Sequence, residues 1–298
     1  MRVLITGGKG QLGRALVEAM EEENRAGGEG ERWEPFPYGR EELDITSLAQ
    51  VRRAVAELRP ELVVHAAAFT NVDGCEEDPD RAFRVNALGT RNVALAAAEA
   101  GAALVYISTD FVFDGRQEGQ PRPYTEFDRP NPLSVYGRSK LAGEEFVRTL
   151  HPRHYVVRTS WLFGHQGKNF VRTILELART RPELAVVCDQ VGSPTYAPDL
   201  ARQLLRLVPT GLYGTYHISN KGSCSWYDFA RQILAYAGRR EPRLAAVPVR
   251  PISTAELGRP APRPSYSVLR NYCLELTIGD GMRPYQEALS EYLERAVN

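Results

Sequence analysis

The chain lacks any apolar run near the ~18 residues that a membrane-crossing helix needs, so no membrane span is expected. It lacks an excess of charge of either sign: Lys+Arg and Asp+Glu both number 37, for a formal net charge of zero. That argues against the strongly basic surface of a nucleic-acid-binding protein. Cysteine is scarce. Cys75, Cys188, Cys224 and Cys273 stand far apart with no C-x-x-C pair, which argues against a zinc knuckle and a disulfide framework. A reducing, cytoplasmic setting is the simplest reading of that usage. Lysine is as rare: only Lys9, Lys140, Lys168 and Lys221 among the 37 basic residues, so each is worth asking about. The opening Met1-Arg2-Val3-Leu4-Ile5 has neither the longer apolar stretch nor the small-residue cleavage site of a secretory signal, and reads as a buried strand.

What remains is an ordinary globular composition, 43% hydrophobic and 25% charged. At roughly 150 residues per domain, 298 residues suggest two domains, or one large domain with an added lobe. Short apolar runs at Arg2–Thr6, Trp33–Tyr38, Leu62–Ala67, Ala103–Ser108 and Tyr155–Thr159 read as strands. Helical patterns at Gln11–Glu22, Ser47–Leu58, Pro79–Ala100 and about Ser134–Leu150 separate them, and Glu23–Glu31 reads as a surface loop. This alternation predicts right-handed βαβ units. The expected fold is α/β, a Rossmann-like doubly wound parallel sheet with a smaller C-terminal α/β substrate-binding lobe. Residues 1–160 form the dinucleotide-binding domain in this reading, and 161–298 mainly the substrate lobe, with segments of about 185–240 returning to the sheet. Helices are expected at Asn169–Arg179, Ala197–Leu207 and Ser225–Ala237, with short strands at Leu184–Cys188 and Leu212–Ser219.

The first strand runs into Thr6-Gly7-Gly8-Lys9-Gly10-Gln11-Leu12-Gly13. Gly7, Gly10 and Gly13 are spaced G-x-x-G-x-x-G rather than G-x-G-x-x-G. The physical roles are the same: a tight turn, a close backbone approach to a pyrophosphate, and a helix packed near the strand. Helix N–H groups, including those of Gln11 and Leu12, then face the anion. After the second strand comes Tyr38-Gly39-Arg40-Glu41-Glu42, with no acid immediately after the strand to take the ribose 2′-OH of NAD. Arg40 suits the 2′-phosphate of NADP. NADPH is therefore the expected cofactor, with NADH use left open. Asp44 stands where it could meet the adenine amine, or cap a turn, and Ile45 where it could meet the ring.

Ser134-Val135-Tyr136-Gly137-Arg138-Ser139-Lys140 holds Tyr-x-x-x-Lys on a predicted helix, so Tyr136 and Lys140 share one face. Free tyrosine titrates near ~10. An adjacent ammonium favours the phenolate, which suits Tyr136 to proton exchange with a carbonyl or alcohol. Lys140 would also hold the nicotinamide ribose. Thr109, in Ser108-Thr109-Asp110 at the end of the fourth strand, lies at the sheet edge where such folds bind ligands and can donate to the substrate carbonyl.

Together these residues resemble the extended short-chain dehydrogenase/reductase superfamily. Within it, Ser108-Thr109-Asp110-Phe111-Val112-Phe113-Asp114-Gly115 resembles the S-T-D-[YF]-V-F-D-G signature of dTDP-4-dehydrorhamnose reductases. So do Leu43-Asp44-Ile45-Thr46, Ala66-Ala67-Ala68-Phe69-Thr70-Asn71-Val72-Asp73, Arg158-Thr159-Ser160-Trp161, Asp189-Gln190-Val191-Gly192-Ser193-Pro194-Thr195-Tyr196 and Arg263-Pro264-Ser265-Tyr266-Ser267. The resemblance covers about residues 1 to 285. It implies hydride transfer from NADPH or NADH to C4 of dTDP-4-dehydro-β-L-rhamnose, with Thr109, Tyr136 and Lys140 as the catalytic trio. It implies that Ala66, Ala67 and Ala68 adjoin the cofactor. Thr70, Asn71, Val72, Asp110, Phe111 and Trp161 would line the sugar site, and Asn169, Phe170 and Arg263 would face the nucleotide diphosphate. Members of the family can dimerise around Mg²⁺ held by acids. Glu22, Glu23 and Asp189 are available acids, but no ligand set is assigned, and a homodimer stays open.

Three rivals share the fold. A 4,6-dehydratase would carry Asp-Glu after the threonine, whereas here Asp110 is followed by Phe111. A 4-epimerase retains NAD and would want the ribose-binding acid. A non-catalytic NADP-binding regulatory subunit, like the β subunit of eukaryotic methionine adenosyltransferase, would not need the intact Thr109, Tyr136 and Lys140.

Overall fold

The computed structural model describes residues 1–27, 32–116 and 119–296. Five parallel strands carry the N-terminal half: β1 (Arg2–Thr6), β2 (Glu34–Tyr38), β3 (Leu62–His65), β4 (Ala103–Thr109) and β5 (His154–Thr159). A sixth strand, Gly214–His217, pairs in parallel with β5. Across the sheet the order is β2, β1, β3, β4, β5 and then Gly214–His217. The chain therefore reverses direction across β1, with β2 on one side and β3 on the other. That switch point is where doubly wound sheets open a crevice for ligands.

Alternation along the strands builds a core on each face. Val3 and Ile5 point toward α1 (Gln11–Ala26) and α8 (Ala197–Leu207), packing with Leu16, Met20, Leu200 and Leu204. Leu4, Val63, Leu104 and Val156 point the other way. They meet α2 (Leu48–Leu58), α5 (Thr90–Glu99) and α6 (Val135–Leu150) through Val51, Val55, Val93 and Val147. Pro35 and Pro37 are tolerated in β2 because it is an edge strand, paired only with β1. A second core lies in the C-terminal half. There α7 (Phe170–Thr180) and α9 (Trp226–Ala237) pack around Phe163, Ile174, Phe229 and Leu289.

The caps follow from side-chain chemistry. Ser47, Ser134, Asn169 and Ser225 each accept a backbone N–H of the helix they precede, at α2, α6, α7 and α9. Helix α1 runs four residues past its expected end, and 28–31 of the expected loop lie outside the described residues. The single helix expected over Pro79–Ala100 is in fact three pieces: α4 (Pro79–Phe83), a π-helical turn at Arg84–Gly89, and α5. A short α3 (Val72–Glu77) precedes them. The π turn has a visible purpose. It turns Asn86 inward, where its amide accepts from Phe69 N at 2.7 Å and donates to Phe69 O at 3.1 Å and Ser139 Oγ at 3.0 Å. The loop after β3 is thereby pinned to α6. Among the described residues, no helix is long and apolar enough to cross a membrane.

Candidate active site

All strands of the sheet are parallel, so the glycine loop after β1, the loop after β3 and the turn after β4 open on one edge. The glycine loop is shaped for a close neighbour. Gly7 has φ +68°, and a Cβ there would lie 2.7 Å from Ala67 N. A Cβ on Gly13 would lie 2.5 Å from Gly7 O. Helix α1 begins at a bare N-cap, Gly10, with no side-chain cap and no acid in its first turn. Its leading N–H groups are thus left to an anion, which fits a dinucleotide pyrophosphate. Gln11 is half-buried, while the Leu12 side chain is packed in the core, so Leu12 offers the anion only its backbone.

A relay of neutral groups supports the loop from below. Thr6 Oγ1 meets His65 Nδ1 at 2.6 Å, and His65 Nε2 meets Thr90 Oγ1 at 3.0 Å. Burial drives the His65 pKa down to about 3. Ala66 and Ala67 are hydrogen-bonded to Thr6, and Ala66, Ala67 and Ala68 are half-buried beside the glycines.

The end of β2 differs from expectation in one respect. No acid follows the strand directly, but Glu42 folds its carboxylate back to the strand's end, accepting from Gly39 N at 2.6 Å and Lys9 Nζ at 2.6 Å. Lys9 thus comes from the glycine loop to the tip of β2. Arg40 is exposed beside this pair. Asp44 is also exposed and closes a turn, accepting from Thr46 N at 2.9 Å and Thr46 Oγ1 at 2.8 Å. Ile45 is buried next to the π turn, so near Gly89 that a Cβ there would lie 2.9 Å from Ile45 Cδ1.

At the end of β4, Thr109 Oγ1 donates to Asp110 Oδ1 at 3.0 Å and accepts from Phe111 N at 3.1 Å. Asp110 is buried and accepts from Ser267 Oγ at 2.6 Å. Burial raises its pKa to about 6, against the hydrogen bonds of Ser267 and Thr109. Phe111 stands edge-on to Tyr136, with ring centroids 5.6 Å apart. The Lys140 charge is expected to lower the Tyr136 pKa. Instead burial prevails and holds the hydroxyl above its ordinary value, with hydrogen bonding to Thr109 acting the other way. Lys140 is almost fully buried. Its Nζ donates to Ile107 O at 2.7 Å and sits 4.1 Å from the centroid of the Tyr106 ring. Burial lowers its pKa to about 7, opposed by Glu144 one turn along α6.

Glu144 anchors a buried charge network. It accepts from Ser108 Oγ at 2.5 Å, Arg158 Nε at 3.0 Å, Arg158 Nη2 at 2.8 Å and Arg148 Nη2 at 2.6 Å. Burial raises its pKa, but the two guanidiniums outweigh that and hold it below the usual carboxylate value. This network ties β4, β5 and α6 together directly beneath the trio. Its signal in sequence was Glu144 at four residues from Lys140, on the same helix face.

The expected sugar-site residues divide. Thr70 and Asn71 are exposed on the loop after β3, and Asn71 also caps α3 through Gly74 N at 3.0 Å. Val72 is half-buried at the start of α3. Trp161 is half-exposed and stacks flat on Trp226, which sequence spacing did not single out. Phe170 packs against the same Trp226 ring at 4.4 Å. Asn169 is mostly buried and donates to Gly164 O at 2.8 Å and Gln11 Oε1 at 3.1 Å, so it joins the C-terminal half to the glycine loop. Arg263 does not project freely: its Nη2 pairs with Asp73 at 3.0 and 3.1 Å and its Nη1 donates to Ala261 O. Among the described residues, no group of three or more His, Cys, Asp or Glu is placed to hold a metal ion. Glu22 pairs with Arg202, Glu23 accepts from Trp33 Nε1, and Asp189 accepts from Thr254.

A dinucleotide cradle at the switch point and a threonine–tyrosine–lysine set at the same sheet edge define an oxidoreductase of the extended short-chain dehydrogenase/reductase class. The chain belongs to the RmlD substrate binding domain family, whose model matches residues 1–298. It is 41% identical over 297 residues to the spore coat polysaccharide biosynthesis protein SpsK of Bacillus subtilis, covering 98% of this chain and 97% of that one. Among solved structures it is similar to a dTDP-4-dehydrorhamnose reductase of Clostridium acetobutylicum, at 47% identity, TM-score 0.91 and full coverage of both chains. It is likewise similar to a dTDP-4-dehydrorhamnose reductase of Bacillus anthracis in complex with NADP, at 45% identity and TM-score 0.91, covering 99% of each chain.

Proposed function

We propose that this chain reduces the C4 keto group of dTDP-4-dehydro-β-L-rhamnose to the alcohol of dTDP-L-rhamnose, the last step of dTDP-L-rhamnose synthesis. The observation that carries the reading is the convergence of Thr109, Tyr136 and Lys140 at one sheet edge with the bare N-terminus of α1, in a chain of this family. NADPH is the proposed cofactor and supplies a hydride to C4 when bound. Gly7, Gly10, Gln11, Leu12 and Gly13 hold its pyrophosphate in this reading. Arg40 and Lys9 meet the 2′-phosphate, and Ala66, Ala67 and Ala68 wall the site. Asp44 and Ile45 adjoin the adenine.

Tyr136 gives its hydroxyl proton to the carbonyl oxygen as C4 becomes tetrahedral. Burial, by raising its pKa, keeps it protonated and ready to donate. Thr109 aligns the carbonyl, turning its hydroxyl from Asp110 toward the substrate. Lys140 supplies positive charge to the phenolate left on Tyr136, and Glu144 keeps that charge from being lost to burial. Phe111, Trp161, Thr70, Asn71, Val72 and Asp110 form the sugar site. Phe170, Asn169 and Arg263 lie toward the diphosphate, with Arg263 exchanging Asp73 for the ligand. Residues 1–160 mainly hold the cofactor and 161–298 mainly the sugar nucleotide. The setting is cytoplasmic, and the reading needs no metal.

The test is loss of NADPH absorbance on adding freshly generated dTDP-4-dehydro-β-L-rhamnose, with NADH in parallel and the product identified by chromatography. Oxidation with formation of dTDP-L-rhamnose supports the reading. NADPH binding by calorimetry without oxidation would overturn it and favour a regulatory role or a different sugar nucleotide.

A further inference from the structure

Trp161 has φ of 45°, the left-handed region that a bulky side chain rarely adopts. Such a conformation persists only where its surroundings over-determine it. Two neighbours do so. The Trp226 ring lies parallel to it, centroids 3.4 Å apart and planes 6° from coincidence. A Cβ on Gly192 would fall 2.5 Å from Trp161 Cε2, so only a bare α-carbon lets the indole lie there. These two neighbours are themselves tied together. Gly192 pairs with Cys224 in a two-stranded antiparallel ladder, Ser225 caps α9, and Trp226 is the first residue of that helix. Phe170 backs Trp226 from α7. Both indoles are half-exposed, so the stack forms a surface wall rather than a piece of core.

We propose that Trp226 is a positioning residue for sugar binding. It acts through Trp161, holding that indole in its left-handed pose so that a fixed apolar surface meets the deoxysugar. The inference rests on Trp161 lining the sugar site, as proposed above. Stacking supplies what the backbone conformation costs, and it does so before the ligand arrives. Without Trp226, Trp161 relaxes toward ordinary backbone angles, and the sugar must reorder it on binding. The cost then falls on substrate affinity, not on the chemical step or the cofactor.

The chain has three tryptophans, and Trp33 is buried beside β2, so the stacked pair has its own circular-dichroism exciton signal. Trp226→Leu is expected to abolish that signal and raise KM for the sugar nucleotide roughly tenfold, with kcat within about twofold and NADPH affinity unchanged. Trp226→Phe is expected to restore most of the KM, since a ring can still stack. Gly192→Ala is expected to raise KM like Trp226→Leu, by displacing Trp161 while leaving Trp226 in place. A wild-type KM in Trp226→Leu or Gly192→Ala overturns the proposal. So does a parallel loss of kcat, NADPH affinity and KM that Phe fails to rescue, since that marks a general structural role. If Trp226→Leu does not fold, the Phe and Gly192→Ala variants decide. Wild-type protein runs beside every variant: failure of wild-type turnover sinks the function reading and this inference with it, whereas normal wild-type turnover with unaffected variants sinks only the inference.

Discussion

Glu144→Gln removes one charge from a place where two guanidiniums and a hydroxyl converge. Arg158, 2% exposed, loses the carboxylate to which it gives bonds of 3.0 and 2.8 Å. Arg148 loses a 2.6 Å bond, but its side chain is 35% exposed and water replaces most of that interaction. The decisive loss is therefore the buried Arg158 charge. Leaving one partner of a buried pair uncompensated costs about 3–5 kcal/mol. At about 2 °C per kcal/mol for a chain of this size, Tm should fall by roughly 6–10 °C. Thermal unfolding followed by circular dichroism at neutral pH reads this. Glu176→Gln, which breaks the exposed Arg172–Glu176 pair, is the control and should leave Tm unmoved. A double change, Glu144→Gln with Arg158→Met, should recover much of the loss, because no unpaired charge remains. The variant should also lower the Lys140 pKa further below about 7, since Glu144 is what raises it. Activity of Glu144→Gln at pH 8 should accordingly fall more, relative to pH 6, than in the wild type. A Tm within about 2 °C of wild type would refute the reasoning, because it would mean the buried guanidinium is satisfied without Glu144.

Tyr136→Phe removes the proton donor and keeps the ring that meets Phe111; turnover should drop at least ~10²-fold with NADPH affinity nearly intact, and near-normal turnover would remove Tyr136 from its role. Arg40→Ala should weaken NADPH more than NADH, and Glu42→Gln should tighten NADPH roughly two- to fivefold by freeing Lys9 and the Gly39 N–H from a carboxylate. Calorimetry with both cofactors checks this; equal shifts for the two refute it. His65 and His217 are both held down at about 3 by burial, whereas the unfolded chain protonates them near 6.5. Their depressed values mean that unfolding takes up protons, so stability is full above about pH 6.5 and declines as pH falls toward 3. Asp110, raised to about 6, opposes this with one group against two. Urea midpoints at pH 7.5 and 5.5 should show the lower value at 5.5, and the reverse order would contradict the assignment.

Much of this molecule is legible in its residues because local chemistry and tertiary placement agree. The strand–glycine–helix unit at Arg2–Ala26, the Ser47 and Ser134 caps, and the shared face of Tyr136 and Lys140 are all short-range facts. The π turn at Arg84–Gly89 was not legible, because nothing in the helical pattern of Pro79–Ala100 shows that Asn86 must turn inward to hold Phe69. Glu42 was overlooked because a carboxylate four residues beyond the strand reaches its end only through a turn. Trp226 was read as one more residue of a helix, although it follows a capping serine and meets Trp161 across 65 residues of chain. The family resemblance placed Arg263 toward a diphosphate, while its pairing with Asp73 is a long-range contact that no spacing reveals. What sequence conceals here are bonds between segments far apart in the chain.

The central claim is tested most directly by following the label. The protein is incubated with dTDP-4-dehydro-β-L-rhamnose and NADPH deuterated at the transferring carbon, and the product is read by NMR. The account predicts dTDP-L-rhamnose with deuterium at C4 and at no other carbon, formed at least ~10²-fold more slowly by Tyr136→Phe. Product carrying no deuterium at C4, or no product from protein that binds NADPH, would contradict it.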